Sequence, residues 1–289
     1  MAALVAVALP AAAAPARFFV EGDGQLAIES AHTKERATVR YRGPDGAYDP
    51  DALVRLRRVF RSRDGAEIEP PLRLIEVLSR LQRESGVDVL VLQSGYRSPA
   101  YNQGIRQKGA KAADGSLHTE GLAADVAFPG AALEPLWQRL RALECCGAGY
   151  YGKDGFLHVD TGRPRFWEPA TSRVDENLSG GNARLFARTE FDRYAAGETI
   201  TLGLHALTLP PVRIAAEARL VEDAGVARPV RLAAELPARE GCFEVTGPGA
   251  RFRAAAAPAA TRARLVLETC EPRRERTPAQ IETNPIEIR

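Results

Sequence analysis

The sequence predicts an α+β fold, in which a small antiparallel sheet with flanking helices is followed by an all-β, sandwich-like domain. Two observations support this prediction. Helical and strand patterns alternate up to Trp167 without the regular spacing of βαβ units. Beyond that residue, short apolar or alternating runs recur at roughly ten-residue intervals with turn residues between them, which is typical of a β-sandwich.

A change in composition marks the boundary between the two parts. The stretch Glu168–Asn182 is rich in Pro, Ser, Asn and Gly, and it has the character of a linker. A chain of 289 residues is also long enough for two domains. The predicted division is a signal-like leader at 1–16, a first domain at 17–170, a linker at 171–182 and a β-domain at 183–289.

The first domain is predicted to begin with two short strands and a helix. Apolar and polar residues alternate on either side of the polar stretch His32–Lys34, which indicates a strand on each side. Asp49 and Pro50 then provide an N-cap and a first helical residue. The remaining elements are a helix that follows Pro71 and ends at Gly86, a strand over Val87–Gln93, a short helix over Pro99–Gly109, a loop and strand over Gly115–Pro129, a helix over Leu133–Leu143, and a hairpin of Gly147–Tyr151 with Phe156–Thr161.

The second domain is predicted to consist of short strands separated by turns. Its candidate strands are Ala183–Ala187, Thr199–Leu207, Val212–Leu220, Pro229–Ala234, Cys242–Val245 and Arg262–Leu267. His205 lies inside one of these alternating runs, and we expect it to be an ordinary core or surface residue.

The charge balance argues against a nucleic-acid partner. The chain has 39 basic and 37 acidic residues, and it has no basic stripe interleaved with aromatic residues. The first sixteen residues combine an apolar stretch with small residues, as a signal peptide does, although no basic residue precedes the apolar stretch. We therefore predict export, with a disordered Ala-rich leader as the alternative. No later segment approaches ~18–20 consecutive apolar residues, so no integral membrane segment is expected.

The four cysteines fit an exported protein. Cys242 and Cys270 both lie in the β-domain, where a disulfide between them would staple the fold. Cys145 and Cys146 are adjacent, and we expect them to be unpaired, buried thiols because neighbouring cysteines do not pair easily. The chain contains no Cys-x-x-Cys motif, so a zinc site built from thiolates is not expected.

The chain has only four histidines, and two of them suggest a metal site. His118 precedes Asp125 with six residues between them, and His158 lies in a predicted strand. Two imidazoles and a carboxylate match the three protein ligands of a catalytic zinc site, in which the fourth position is left for water. The spacing alone leaves open that the two histidines are unrelated loop and strand residues.

Three blocks of the sequence resemble the D-Ala-D-Ala metallopeptidase group, the LAS-type zinc peptidases. They are Ser94-Gly95-Tyr96-Arg97-Ser98, the run Ser116-x-His118-x-x-Gly121-x-Ala123-x-Asp125, and His158 with its surroundings up to Trp167. The last block is most similar to an exported Gram-negative branch that is related to periplasmic murein endopeptidases. The resemblance spans Phe18–Trp167, and it implies a periplasmic enzyme with one Zn²⁺ per chain held by His118, Asp125 and His158.

The resemblance also implies roles for residues around the metal. Arg97 matches an arginine that touches the substrate carbonyl or carboxylate, and a guanidinium suits either group. Ser116 matches a serine that hydrogen-bonds substrate, with capping of the local turn as its alternative role. Tyr96 and Tyr151 are candidates to line the substrate groove, or equally to serve as packing residues with a solvated hydroxyl.

The resemblance does not assign the general base. Many relatives carry an acidic residue three positions before the last histidine ligand, where this chain has Gly155. Asp160 lies two residues after His158 on a predicted strand, so both side chains point to one face. Asp160 is therefore our first candidate for the base, with orientation of His158 as its alternative role. Asp154 is the second candidate.

These features together predict a zinc-dependent peptidase that acts on peptidoglycan. Its target would be a peptide bond in the stem peptides or crosslinks, cut by a murein endopeptidase or a D,D-carboxypeptidase. A non-catalytic, zinc-stabilised protein that binds the cell wall or a partner is the alternative, which the glycine at position 155 keeps open. The β-domain is a candidate for binding glycan or a partner protein.

Overall fold

The structure is a computed structural model that describes residues 16–107, 116–168 and 180–289. The predicted leader, apart from its last residue, and most of the predicted linker lie outside these ranges. Within them, no helix combines the length and the apolar character that are needed to cross a membrane.

The α-helices of the described residues all lie before residue 143. They are α1 (Pro50–Phe60), α2 (Leu72–Ser85), α3 (Pro99–Gln107) and α4 (Leu133–Ala142). The Asp49 carboxylate caps α1 by accepting from the amides of Asp51 and Ala52, which confirms the predicted start. Gly86 ends α2 with a φ of 70°, the left-handed conformation that glycine adopts without a steric penalty.

Seven strands of the first part form one mixed sheet. They are β1 (Gln25–Ser30), β2 (Arg36–Arg40), β3 (Leu90–Ser94), β4 (Ala123–Ala127), β5 (Gly147–Tyr151), β6 (Phe156–Asp160) and β7 (Arg165–Trp167), in the order β2-β1-β3-β4-β6-β5-β7. The combination of sheet and helices confirms an α+β class. The sheet differs from the small antiparallel one that we predicted, because β1 pairs parallel with β3 and β5 pairs parallel with β7.

Helices cover one face of this sheet and leave its other face to polar residues. The covering helices are α1, α2 and α4. On β4 and β6, Ala124, Val126 and Val159 are buried in the apolar core beneath them. Because side chains alternate along a strand, Asp125 and His158 point to the opposite face. The sheet therefore separates the apolar core from a polar site.

Within residues 180–289, the regular elements that the structure describes are all strands. They are β8 (Phe186–Thr189), β9 (Arg193–Tyr194), β10 (Thr199–His205), β11 (Val212–Glu222), β12 (Ala227–Arg231), β13 (Ala238–Arg239), β14 (Cys242–Val245), β15 (Arg251–Ala255), β16 (Thr261–Thr269), β17 (Gln280–Glu282) and β18 (Ile286–Ile288). β15, β10 and β8 form a three-stranded sheet, and the other strands form an eight-stranded one. Both sheets contribute to one apolar core.

The four cysteines form two disulfides. Cys242 and Cys270 are bonded, as predicted. Cys145 and Cys146 are bonded to each other, so our expectation of unpaired thiols was wrong. Immediately before this pair, Glu144 has a φ of 47°, a sharp turn between α4 and β5 that the sequence did not indicate.

Candidate metal centre

Three side-chain atoms converge on the open face of the mixed sheet. His118 Nε2 lies 3.3 Å from Asp125 Oδ1 and 3.3 Å from His158 Nδ1, and His158 Nδ1 lies 2.8 Å from Asp125 Oδ1. We call these three atoms the acceptor cluster. The structure thus brings together the three residues that the sequence suggested as metal ligands.

Strand register places two of the three residues side by side. Asp125 on β4 is directly opposite His158 on β6 in an antiparallel pair, so their side chains leave the sheet as close neighbours. His118 comes from a one-turn 3₁₀ helix, Leu117–Glu120, which ends where Gly121 adopts a φ of 71°. The chain then enters β4, and this short path brings His118 over the strand that carries Asp125.

The hydrogen bonds of both histidines leave lone pairs directed into the cluster. His118 Nδ1 donates to the carbonyl oxygen of Gly95 over 2.7 Å, which leaves Nε2 as an acceptor. His158 Nε2 lies 3.1 Å from Asp160 Oδ2 and donates to that carboxylate, which leaves Nδ1 free to accept. Two imidazole lone pairs and a carboxylate oxygen therefore face one another, an arrangement that calls for a positive charge between them.

The pKa values of the cluster show how strongly the three groups interact. Burial lowers the pKa of His118 and favours its neutral, metal-ligating form. Burial opposes ionisation of Asp125, yet the adjacent His118 and His158 hold the pKa of this carboxyl well below its usual value. Burial likewise opposes a charge on His158, but contacts with Asp125 and Asp160 raise the pKa of this imidazole, because a proton on Nδ1 supplies the positive charge that the facing acceptors need. The site is thus built to keep one cation beside an ionised aspartate.

The donor set and its spacing fit zinc. Zinc binds imidazole nitrogen and carboxylate oxygen at about 2.0–2.2 Å with tetrahedral geometry, so neighbouring ligand atoms lie about 3.3–3.5 Å apart. Two separations in the acceptor cluster, both 3.3 Å, match those edges, and the third, 2.8 Å between His158 Nδ1 and Asp125 Oδ1, is shorter. Three protein ligands also leave one position open, as catalytic zinc sites do.

Arg97 lies beside the cluster and contacts one of its members. Its Nη2 donates to Asp125 Oδ2 over 2.8 Å, and its Nε donates to Ser94 Oγ over 2.8 Å. Its backbone amide donates to the carbonyl oxygen of His118 over 3.0 Å. Arg97 therefore fixes the outer oxygen of Asp125, and it brings a positive charge to the edge of the site.

Asp160 contacts the far side of His158. Its carboxylate is fully buried, and besides His158 Nε2 it accepts from Arg165 Nη2 over 2.7 Å and from the amide of Gly162 over 2.8 Å. Burial opposes its ionisation, but the Arg165 charge and the His158 hydrogen bond lower the pKa of Asp160 to about 2. The imidazole ring of His158 separates this carboxylate from the acceptor cluster.

The remaining predicted residues lie around the cluster. Ser116 precedes the one-turn helix, where its carbonyl oxygen accepts from the amide of Thr119, and its hydroxyl does not cap the helix. Tyr96 follows the Gly95 carbonyl and is half-buried. Tyr151 stacks on Phe156 with ring centroids 4.7 Å apart. Asp154, our second candidate for the base, is exposed in the turn between β5 and β6.

Sequence reasoning assigned no role to two residues that shape this face. The Trp167 ring centroid lies 5.1 Å from that of His158, and the indole Nε1 donates to the Tyr151 hydroxyl over 3.2 Å. Arg165 lies 5.0 Å from the centroid of the same indole while it holds Asp160. Both lie on β7, a three-residue strand whose pattern is too short to recognise, and only the resemblance drew attention to that stretch.

Comparison with known proteins places the first part of the chain in a family. A model of the family described as peptidoglycan L,D-endopeptidase MepK matches residues 21–167. The chain is 33% identical over 144 residues to the peptidoglycan L,D-endopeptidase MepK of Escherichia coli K12, which is 49% of this chain and 79% of that relative. It is 27% identical over 146 residues, 50% of this chain and 78% of the relative, to a probable enzyme of that name from Haemophilus influenzae. No solved structure matches the chain.

The family match and the similarity to the Escherichia coli relative define the class of protein. The chain is a metallopeptidase of the D-Ala-D-Ala metallopeptidase group. Within that group it belongs to the family described as peptidoglycan L,D-endopeptidase MepK. The family match ends at Trp167, so the strands from β8 onward lie beyond it.

Proposed function

We propose that this protein hydrolyses an L,D-peptide bond in peptidoglycan with a zinc ion held by His118, Asp125 and His158. The observation that carries the proposal is the convergence of three acceptor atoms within 3.3 Å of one another on the open face of the sheet. The names of the relatives supply the substrate class, since each is a peptidoglycan L,D-endopeptidase or a probable one.

The ligand residues are prepared for an ion by their own hydrogen bonds. Gly95 fixes the ring of His118, Asp160 fixes the ring of His158, and Arg97 fixes the carboxylate of Asp125. Such outer contacts orient ligands and set their tautomers. Zinc, when bound, supplies Lewis-acid chemistry that polarises a carbonyl group and makes water a better nucleophile near neutral pH.

We assign Arg97 to charge stabilisation and Asp160 to positioning. The Arg97 guanidinium, held by Ser94 and Asp125, is a fixed positive charge at the edge of the site, where a substrate carbonyl that gains negative charge would be stabilised. Asp160 is separated from the acceptor cluster by the ring of His158, and its lone pairs are engaged by Arg165 and Gly162. It is therefore better suited to orienting His158 than to accepting a proton from water.

Aromatic and polar residues around the cluster would bind the peptide substrate. Trp167 and Tyr151 are linked by a hydrogen bond and form one wall beside His158. Tyr96 and Ser116 belong to segments on the other side, next to the Gly95 carbonyl and to the helix that carries His118. We propose that the substrate backbone lies between these two sides.

The domain and localisation assignments complete the proposal. We propose a zinc peptidase domain over 17–170 and, after a linker, a sandwich-like accessory domain over 183–289 whose two sheets enclose one core. Export to the periplasm agrees with the two disulfides and with a peptidoglycan substrate. The accessory domain remains our candidate for contacting glycan or a partner protein.

The proposal is tested by incubating zinc-loaded protein with defined muropeptides and identifying the products by mass spectrometry. We expect cleavage at an L,D-bond, loss of cleavage on chelation, and its return when zinc is added. His118→Ala should abolish both zinc binding and cleavage. A fully metallated wild-type protein that cleaves no muropeptide of a broad panel would overturn the proposal and favour the non-catalytic binding role.

A further inference from the structure

The β-domain lies beyond the family match, yet it contacts the segment that carries the first metal ligand. The segment is the one-turn helix Leu117–Glu120 together with the start of β4. The contacting residues come from the neighbouring ends of β8 and β10. The β-domain is therefore placed where it can affect the position of His118.

Glu120 makes the polar part of this contact. Its Oε2 lies 2.9 Å from His205 Nδ1 at the end of β10, and its Oε1 accepts from the amide of Ala206 over 2.7 Å. The Glu120 side chain is only 12% exposed. Ala206 holds a φ of 57°, an uncommon conformation for a residue with a β-carbon, and its amide is directed at the carboxylate. Both carboxylate oxygens of Glu120 are therefore engaged by the other domain.

An apolar contact surrounds this polar one. Leu117, Leu122 and Ala123 of the first domain pack with Phe186 and Ala206 of the second in a small buried cluster of their own. The members of this cluster are at most 8% exposed, so they shield one side of the polar contact from water. Charge-assisted hydrogen bonds that are shielded from water are stronger than those at an open surface.

A second contact reaches the other side of the site. Arg188 on β8 donates to the carbonyl oxygens of Gly162 and Cys145, the latter over 3.0 Å. Gly162 in turn donates its amide to Asp160, which orients His158. The β-domain thus holds a segment next to each histidine ligand.

Within the first domain, the segment with His118 is held by the contacts of His118 with the Gly95 carbonyl and the Arg97 amide and by the hydrogen bonds of one short turn. A single 3₁₀ turn has few hydrogen bonds of its own and poorer geometry than an α-helix. Helical turns of this length are marginal in water without tertiary contacts. A metal ligand nevertheless has to be held within about 0.5 Å of its binding position. The contacts from the β-domain are therefore additional anchors for a turn whose own hydrogen bonds are few.

We propose that the β-domain positions the first metal ligand, with Glu120 as the positioning residue that His205 and Ala206 clamp. The inference rests on the proposed function only in taking His118 as a ligand. Glu120 contacts His205 and Ala206, and it acts by holding the turn on which His118 is carried. This assignment gives His205 a role that its place in an alternating strand did not suggest.

Zinc affinity and hydrogen exchange of the full-length protein test this inference. Glu120→Ala should weaken zinc binding by up to about 10-fold in a chelator competition, less than the loss of a direct hydrogen bond to a ligand, because Glu120 acts through the turn. In the metal-free protein, the same variant should show faster amide exchange in the peptide that covers residues 117–123. Glu120→Gln keeps an oxygen for the Ala206 amide, so it should recover most of the affinity and the protection.

Two further variants distinguish a positioning role of Glu120 from a general loosening of the contact between the two domains. His205→Ala removes one of the two clamping contacts and should give a smaller loss of the same kind, which also serves if Glu120→Ala does not fold. Glu198→Gln breaks the ion pair with Arg17, which joins the β-domain to a chain segment that carries no ligand. This control should leave zinc affinity and exchange at 117–123 unchanged.

The outcomes are distinguishable from those of the functional test. Unchanged zinc affinity and unchanged exchange in the folded Glu120 and His205 variants would overturn the inference, as would an equal loss in Glu198→Gln. Amide exchange is measured without zinc or substrate. A wild-type protein that cleaves no muropeptide would therefore contradict the proposed function and leave the positioning role standing.

Discussion

The contacts of Asp160 distinguish between its two predicted roles, general base and orientation of His158. The strand period correctly placed it on the same face as His158, and a carboxylate on that face is a reasonable general base. Its actual contact is with Nε2 of His158, the ring nitrogen that faces away from the acceptor cluster. A sequence pattern indicates the face of a strand but not which nitrogen of a ring a neighbour reaches.

Substitution of Asp160 by Asn separates positioning from proton transfer. The amide has the same shape but loses the charge that pairs with Arg165 and holds His158. We expect zinc affinity to fall about 10- to 100-fold together with kcat/KM for muropeptide cleavage, as measured by chelator competition and product assay. Asp88→Asn, at an exposed aspartate, should leave both unchanged. Full zinc affinity with no cleavage would instead identify Asp160 as the base.

The lack of a side chain at Gly147 makes room for the buried carboxylate of Asp160. A β-carbon at position 147 would lie 2.2 Å from Asp160 Oδ2, so only glycine leaves room for the aspartate against β5. Gly149 does the same for Trp167, whose Cε2 would lie 2.6 Å from an added β-carbon. The sequence displays both glycines in a short strand, but their purpose becomes visible only when β6 and β7 are paired with β5.

At the scale of elements, the sequence predicted the helices and strands whose limits are set by local signals such as caps and turns. Caps and apolar spacing located α1 and α2, and alternation with a turn located the β5–β6 hairpin. Strand β15 was missed although it has five residues. The other missed strands, such as β9, β13, β17 and β18, have two or three residues each. Their pairing depends on distant partners, and no pattern of that length distinguishes a strand from a loop.

Helix α2 is joined to the sheet by the buried carboxylate of Glu76, a residue to which the sequence analysis assigned no role. Glu76 on α2 is fully buried and accepts from the hydroxyls of Tyr41 and Tyr48 over 2.8 and 3.0 Å. Arg42 Nε donates to it over 2.7 Å. Burial, together with the charge of Glu76, raises the pKa of both tyrosines well above the ordinary value. The two hydroxyls therefore stay protonated in the folded protein.

This coupling predicts how stability changes at alkaline pH. The unfolded tyrosines lose their protons near pH ~10, while the folded ones keep them. The folded state then binds more protons, so the free energy of unfolding falls as pH rises above ~10, by up to about 1.4 kcal/mol per pH unit for each tyrosine. Urea unfolding followed at pH values from neutral to strongly alkaline measures the slope. Tyr48→Phe should reduce it, and an identical slope in that variant would contradict the coupling.

At the scale of the whole molecule, composition separated the two parts but did not indicate how they meet. The linker-like stretch suggested two domains and gave no information on the contact between them. The described residues instead contain a buried ion pair across the joint, between Arg73 on α2 and Asp192 before β9. Asp192 also accepts from the amide of Phe19 over 2.9 Å and from Asn284 Nδ2 over 2.9 Å. Contacts between residues so far apart along the chain leave no local trace in the sequence.

The buried pair predicts that the two parts of the chain, which we propose to be domains, unfold together. Its side chains are 8% and 6% exposed, so removing one partner leaves an uncompensated charge at the joint. Asp192→Ala should lower the free energy of unfolding by about 3–5 kcal/mol, and calorimetry should resolve the single wild-type transition into two. Glu282→Ala, which breaks the exposed pair with Arg264 within the β-domain, should cost less than about 1 kcal/mol and keep one transition. Two transitions in the wild type would mean that the pair does not couple the domains, because coupled domains lose their structure in one step.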